Sequence, residues 1–271
     1  MIDESKNSKS MTSIERLKFV MERLRDPKNG CPWDIIQTFE SIAPYTIEEA
    51  YEVADAIQHG NKSALKEELG DLLLQVIFHA QMAAENGDFN FDDVADAISE
   101  KMIKRHPHVF GKAQVESVSQ QMVAWEDLKA KEREKEESTL GVLDGVAKGL
   151  PALLRAFKLQ KRAARVGFDW PDLNGAYSKL YEELAELSKE LKRPELDKEK
   201  LEEEFGDVMF SMVNVARKLG IEPESALRTG NLKFEKRFSY IENALTKTNQ
   251  TFNAVTLNDL ESLWQESKTK T

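Results

Sequence analysis

The chain has 271 residues, of which 41% are hydrophobic and 32% are charged, and its formal net charge at pH 7 is −10. This composition favours helices over strands, and the negative charge argues against sequence-independent binding to nucleic acid. Cys31 is the only cysteine, so no intramolecular disulfide can form, and no apolar run approaches the roughly 20 residues of a membrane span. We therefore expect a soluble cytoplasmic protein.

Hydrophobic periodicity predicts helices along the whole chain, so the expected fold class is all-α. In the first half, helices are expected over residues 13–25, from Pro44 or Thr46 to Gln58, and over residues 63–86, 91–105 and 118–129. Cys31-Pro32-Trp33-Asp34 is expected to be a loop. The charged run at residues 129–137 indicates a linker, which places the domain boundary between residues 1–136 and 137–271.

The second half repeats this helical character. A basic amphipathic segment covers residues 153–162. Further helices are expected over residues 176–191, from an N-cap at Asp197 to Leu219, over residues 224–245, and from a capping box at Thr256 to Lys268.

The two halves carry the same pattern of acids. Glu48-Glu49-x-x-Glu52 corresponds to Glu182-Glu183-x-x-Glu186, and Glu67-Glu68-Leu69-Gly70-Asp71 corresponds to Glu203-Glu204-Phe205-Gly206-Asp207. Three further matches follow in the same order: Lys101 with Lys233, Arg105 with Arg237, and Trp125 with Trp264. Duplication with a retained role accounts for this order better than chance drift of a solvated surface.

The repeated acids have the chemistry of a metal site. On a helix, residues three apart lie about 60° from each other, so each helix presents two carboxylates on one stripe. Antiparallel pairing of the two helices would bring together four acids: Glu183, Glu186, Glu204 and Asp207. Carboxylate oxygens without Cys or His suit Mg²⁺, with Mn²⁺ as a substitute, and the cation would offset their mutual repulsion. A second metal site in the first half would use Glu49, Glu52, Glu68 and Asp71.

A di-iron carboxylate bundle is the nearest competing class of metal site. It requires Glu-x-x-His on two of its helices. None of the four histidines has Glu three residues before it. The pattern therefore favours magnesium over iron.

The apolar residues of the two acid-bearing helices of the second half are expected to form its core. They are Tyr177, Leu180, Tyr181, Leu184, Leu187, Leu191, Leu201, Phe205, Val208, Met209, Met212, Ala216 and Leu219. Gly206, and Gly70 in the matching place, would each cost about 1 kcal/mol inside a helix, so a close approach of another helix or of a ligand is expected there.

Basic residues beside the acids suit a polyphosphate. Lys233 and Arg237 lie one helical turn apart, and Lys179 and Lys200 are further candidates for phosphate contacts. Trp264 suits either stacking on a nucleobase or packing in the core.

Together with Cys31-Pro32-Trp33-Asp34 and the segment at residues 105–111, the doubled acid pattern resembles the MazG family of nucleoside triphosphate pyrophosphohydrolases over nearly the whole chain. The resemblance implies tandem all-α bundle domains, a homodimer, and Mg²⁺-dependent hydrolysis of NTP to NMP and diphosphate by the second repeat. It also implies metal ligation by Glu183, Glu186, Glu204 and Asp207. The implied nucleotide contacts are Lys179, Leu180, Tyr181, Glu182, Glu183, Lys200, Leu201, Glu202, Glu203, Lys233, Phe234, Glu235, Lys236, Arg237 and Trp264.

Our mechanistic hypothesis is that two or three magnesium ions bind the triphosphate and hold a water for in-line attack on the α-phosphorus. Either Glu182 or Glu203 would assist deprotonation of that water. The alternative is a nucleotide-sensing or scaffolding protein that binds Mg-NTP without hydrolysis. An inert acidic adaptor is a third hypothesis, which the duplicated pattern disfavours.

Overall fold

The computed structural model describes residues 11–112, 117, 120–121, 125 and 141–270. The chain divides into two compact units, Met1–Glu136 and Glu137–Thr271, here called the first and second units. Every regular element among the described residues is helical, which confirms the all-α prediction. None of these helices combines the length and apolar character that crossing a bilayer requires. The helix expected at 118–129 and the charged run after it fall almost entirely outside the described residues.

The first unit is built around a helical hairpin. Its helices are α1 (Ser13–Leu24), α2 (Pro32–Ile35), α3 (Phe39–His59), α4 (Lys62–Asn86), α5 (Phe91–Arg105) and α6 (Pro107–Phe110). The hairpin consists of α3 and α4, and both α1 and α5 pack against α4. The expectation of a loop at Cys31-Pro32-Trp33-Asp34 was wrong in part, because Pro32 at the first helical position starts the short helix α2.

Helix α3 begins earlier than predicted. Thr38 and Ser41 form a capping box, in which the Ser41 amide donates to Thr38 Oγ1 at 3.2 Å and the Thr38 amide donates to Ser41 Oγ at 2.9 Å. Pro44 therefore lies inside the helix and does not start it. The start was missed because Ser41 takes the place of the Glu or Gln that marks most capping boxes.

The core of the first unit joins three of its helices. Its buried residues are Met21, Ile42, Ile77, Phe78 and Met82. Beside it, Arg25 Nη2 lies 2.7 Å from Glu85 Oε2, and Arg25 Nη1 donates to the Asp34 carbonyl at 2.5 Å. These bonds hold the α2 segment against the end of α4.

The second unit contains an equivalent hairpin. Its helices are α7 (Ala152–Arg165), α8 (Leu173–Leu191), α9 (Lys198–Lys218), α10 (Pro223–Lys247) and α11 (Leu257–Lys270). The hairpin consists of α8 and α9, while α7 packs against α9 and α10, and α11 packs against α10. The predicted caps are confirmed: Asp197 accepts from the Lys200 amide at 3.3 Å, and Thr256 and Asp259 form a capping box.

The predicted core stripe of α8 and α9 is wrong in eight of its thirteen residues. Leu180 is buried with Ala176 and Val215. The exposed ones are Tyr177, Tyr181, Leu184, Leu191, Phe205, Met209, Met212 and Leu219. Helix α7 packs against α9, where Gln160 Nε2 donates to the Phe210 carbonyl at 2.8 Å, but among the described residues this contact leaves the eight side chains exposed.

Candidate metal and nucleotide site

The hairpin of the second unit brings three of the four predicted metal ligands together. One carboxylate oxygen each from Glu183, Glu204 and Asp207 lies within 4.8 Å of the others. Glu183 is only 5% exposed, whereas Glu204 is half-buried and Asp207 is exposed. Because α8 and α9 are joined by the short segment of residues 192–197, they run antiparallel and place these acids across one seam. The cluster is therefore buried on the side of Glu183 and open to solvent on the side of Asp207.

Glu186 lies beside this cluster and is not among the three closest acids. A hydrogen bond to Glu183, desolvation, and the charges of Glu183 and Glu204 raise the pKa of Glu186 above its ordinary value. The expectation of four converging acids is thus replaced by three with a fourth as their neighbour.

A lysine neutralises part of the cluster. Lys179 Nζ lies 2.7 Å from Glu182 Oε1 and 2.7 Å from Glu183 Oε1. Hydrogen bonds to Glu182 and then to Glu183 raise the pKa of Lys179 above its ordinary value. The i,i+3 and i,i+4 spacing of these residues is the signal from which this ion pair could have been predicted.

The donor set fits a hard divalent cation. All three groups are carboxylates, and one of them is buried in a place where an uncompensated negative charge is costly. Such oxygens suit Mg²⁺-class cations and are a poor match for soft metals.

The first unit has a matching set of acids. Oxygens of Glu49, Glu68 and Asp71 also lie within 4.8 Å of one another. Desolvation, followed by the charges of Glu52 and Asp71, raises the pKa of Glu49, and the same causes raise the pKa of Glu68. Glu52 is thus placed beside its cluster as Glu186 is beside the other.

The predicted basic and aromatic residues of α10 and α11 form a second group. The Arg237 guanidinium lies 5.7 Å from the centre of the Trp264 ring, and the Phe234 ring lies 5.4 Å from it. Trp264 is half-buried in this contact, and Lys233 is exposed one turn before Arg237. Within the described residues Trp264 therefore packs against its neighbours, which is one of its two predicted roles. Part of its ring stays accessible to a base, which is the other.

The remaining predicted nucleotide contacts differ in exposure. Leu180 is buried in the core, so its side chain contributes packing, and Leu201 is half-buried. The exposed residues are Tyr181, Lys200, Glu202, Glu203, Glu235 and Lys236.

The expected close approach of another helix at the repeated glycines is not found in the part of the chain that the structure describes. Among the described residues, nothing lies within 4 Å of a Cβ placed on Gly206 or on Gly70. Gly175, which the sequence did not single out, is crowded by contrast, because a Cβ there would lie 2.8 Å from the Trp170 ring. As far as the described residues go, Gly206 is open to a ligand or to a second copy.

Comparison with known proteins gives a consistent result. The MazG nucleotide pyrophosphohydrolase domain matches residues 37–110 and 174–241. The chain is 48% identical over 258 residues to a nucleoside triphosphate pyrophosphohydrolase of Escherichia coli K12, covering 95% of this chain and 98% of that protein. It is 46% identical over 256 residues to a nucleoside triphosphate pyrophosphohydrolase/pyrophosphatase MazG of Thermotoga maritima, covering 94% and 95% of the two chains. A nucleoside triphosphate pyrophosphohydrolase of Mycolicibacterium smegmatis is 41% identical over 150 residues, covering 55% of this chain and 45% of that protein.

Both matched segments contain one of the acid clusters, and the similarity to the first two relatives runs nearly from end to end. The chain therefore belongs to the MazG nucleotide pyrophosphohydrolase family.

Proposed function

We propose that this protein is a nucleoside triphosphate pyrophosphohydrolase whose second unit converts NTP and water to NMP and diphosphate. One observation carries the choice of site: three carboxylates of the α8–α9 hairpin converge, and the Lys179 ammonium lies against them. A triphosphate and its cation require negative ligands and positive groups in one place.

We assign Glu183, Glu204 and Asp207 as ligands of Mg²⁺, with Glu186 as an additional ligand and Mn²⁺ as a substitute metal. The bound cation would draw negative charge from the phosphate oxygens during transfer. Glu183 forms the fixed part of this site because its burial restricts its rotamers, whereas exposed Asp207 faces the incoming ligand.

Positively charged side chains would orient the phosphate chain. Lys179 lies against the cluster, Lys200 lies in the first turn of α9, and Lys233 and Arg237 lie on α10. Phe234 and Trp264 supply an aromatic surface for the base. We favour Glu203 as the residue that accepts the proton of the attacking water, because the Glu182 carboxylate is already engaged by Lys179.

The choice of the second unit over the first rests on two sequence differences. Tyr45 and Ala64 stand in the first unit where the second has Lys179 and Lys200. The first unit thus keeps the acids without these two cationic partners.

We also propose that the protein acts as a homodimer. The exposed apolar residues of α8 and α9 lie on the same two helices as the acid cluster, and burying such a surface against a second copy would be favourable by about 25 cal/mol per Å². Nucleotide substrates and the single Cys31 favour the cytoplasm as its compartment.

The activity is tested with the full chain, MgCl₂ and a panel of NTPs and dNTPs in water enriched in ¹⁸O. We expect NMP and diphosphate as products, with the label in NMP, because attack on the α-phosphorus puts the new oxygen there. Label in diphosphate would contradict attack at the α-phosphorus. Unchanged NTP together with Mg²⁺-dependent nucleotide binding would support the alternative of a nucleotide sensor or scaffold.

A further inference from the structure

The Lys179 ammonium lies against the acid cluster, with Nζ 2.7 Å from Glu183 Oε1 and 2.7 Å from Glu182 Oε1. Its contact with Glu183 is with a carboxylate that is almost fully buried, while its contact with Glu182 is with an exposed one. The first bond thus offsets a charge that water hardly reaches, and the second holds the lysine at the surface.

A metal ion and the Lys179 ammonium compete for the Glu183 carboxylate. Hard cations bind carboxylate oxygens at about 2.0–2.6 Å, and Lys179 Nζ already lies 2.7 Å from the Glu183 carboxylate. Two positive centres that both contact one small carboxylate repel each other strongly where water is scarce.

We infer that Lys179 is the counter-ion of the acid cluster and that a divalent cation displaces it from Glu183. Its remaining ion pair with Glu182 then holds the ammonium beside the site, where it can contact the phosphate chain. This inference rests on the proposed function and adds an order of events to it. The lysine lowers the metal affinity of the free protein and becomes a phosphate ligand once the metal is bound.

The first unit offers an internal comparison. Tyr45 takes the place of Lys179, and its ring is turned to Trp33, with the ring centres 6.0 Å apart in an edge-on arrangement. Glu49 therefore has no lysine one turn before it on α3. The counter-ion belongs to the second unit and is not a general companion of the acid pattern.

The test is Mn²⁺ binding to the full chain without nucleotide, measured from the electron paramagnetic resonance signal of free Mn²⁺. All proteins carry Glu49→Gln and Asp71→Asn, so that the first unit does not contribute. We expect Lys179→Met to bind Mn²⁺ roughly two- to fivefold more tightly, the range that the loss of a partly exposed ion pair allows. Lys179→Arg, which keeps the charge, should bind like the parent.

Lys189→Met is the matched control, because Lys189 is exposed in the last turn of the same helix and its loss changes the net charge equally. It should bind Mn²⁺ like the parent. Equal tightening by Lys189→Met, or no tightening by Lys179→Met, would overturn the inference. Although it binds Mn²⁺ more tightly, Lys179→Met should hydrolyse NTP more slowly than the parent. Damage to the fold would instead weaken both Mn²⁺ binding and hydrolysis.

A second measurement needs no variant. Acetylation of Lys179 by a water-soluble reagent, followed by mass spectrometry, should be faster with Mn²⁺ than without it, since displacement from Glu183 exposes the amine. A rate that is unchanged or lower would contradict displacement. Failure of the parent to bind Mn²⁺ at all would instead count against the metal site of the proposed function.

Discussion

The two units share an acid pattern but differ in what surrounds it. Across the α3–α4 hairpin of the first unit, Thr46 Oγ1 lies 3.0 Å from His79 Nε2. At the matching positions of the second unit, Leu180 and Val215 pack together in the core. At this pair of positions the first hairpin thus has a polar contact and the second an apolar one.

This difference helps to separate two roles, holding a cation and binding a triphosphate, which the sequence repeat alone does not distinguish. The acids are retained in both units although the packing beside them has changed, so they are not there to support that packing. The lysines at positions 179 and 200 occur only beside the second cluster. The repeat therefore indicates a shared capacity to hold a cation, and the two lysines support the proposal that the triphosphate binds at the second unit.

The largest expected difference between the units follows from removing the same acid from each of them. Glu183→Gln should lower kcat for NTP hydrolysis by about 10²–10³-fold or more, because a buried ligand is lost from the reacting site. Glu49→Gln at the matching position should lower kcat by less than about threefold if the first unit does not catalyse. Steady-state release of diphosphate measures both, and far-ultraviolet circular dichroism checks the fold. A large loss in Glu49→Gln would show that both units take part.

The next effect concerns capping positions that correspond between the units. Ser41 lies in the capping box of α3, and Gly175 takes its place at the start of α8, where its amide donates to Asp172 Oδ1 at 3.1 Å. Gly175→Ser would make the caps alike but would drive a side chain into the Trp170 ring, so we expect unfolding to become easier by about 1–3 kcal/mol. Urea denaturation measures this loss, and an unchanged free energy of unfolding would mean that Trp170 moves aside.

The repeated glycines should behave in the opposite way. Gly206→Ala and Gly70→Ala should each raise the free energy of unfolding by up to about 1 kcal/mol, since both positions are helical and open. If Gly206→Ala also loses activity or dimerisation while Gly70→Ala does not, a ligand or a second copy approaches Gly206. Equal activity of both variants and the parent would contradict a functional role for this glycine.

The smallest expected effect is a pH dependence confined to the first unit. Burial lowers the pKa of His79 below the ordinary value of 6.5. The unfolded chain then binds the proton more readily, so stability is lost as pH falls below 6.5 toward the lower folded value. His79→Leu, which copies the apolar seam of the second unit, should remove this component. The difference in melting temperature between variant and parent, compared at pH 7.5 and pH 5.5, measures it, and a pH-independent difference would contradict it.

The sequence by itself determined the helices, most of their caps and the identity of the acids. Helical periodicity is local, and Asp197 and Thr256 mark helix starts through bonds to amides within one turn, so no knowledge of distant residues was needed. The repeat added that Glu183 and Asp207 belong to one unit of structure. Where a local signal was weaker, as at Ser41, the predicted helix start was wrong.

Only the tertiary structure decided which acids converge and which apolar residues are buried. Two helix faces of the same composition are equivalent in sequence until other helices cover one of them. In α9, Val213 and Val215 are buried, whereas Phe205 is exposed. Likewise, the distance between Glu183 and Glu204 depends on how α8 crosses α9, which is set by packing along the whole hairpin. The sequence therefore specified the candidate ligands, and packing specified the geometry in which they meet.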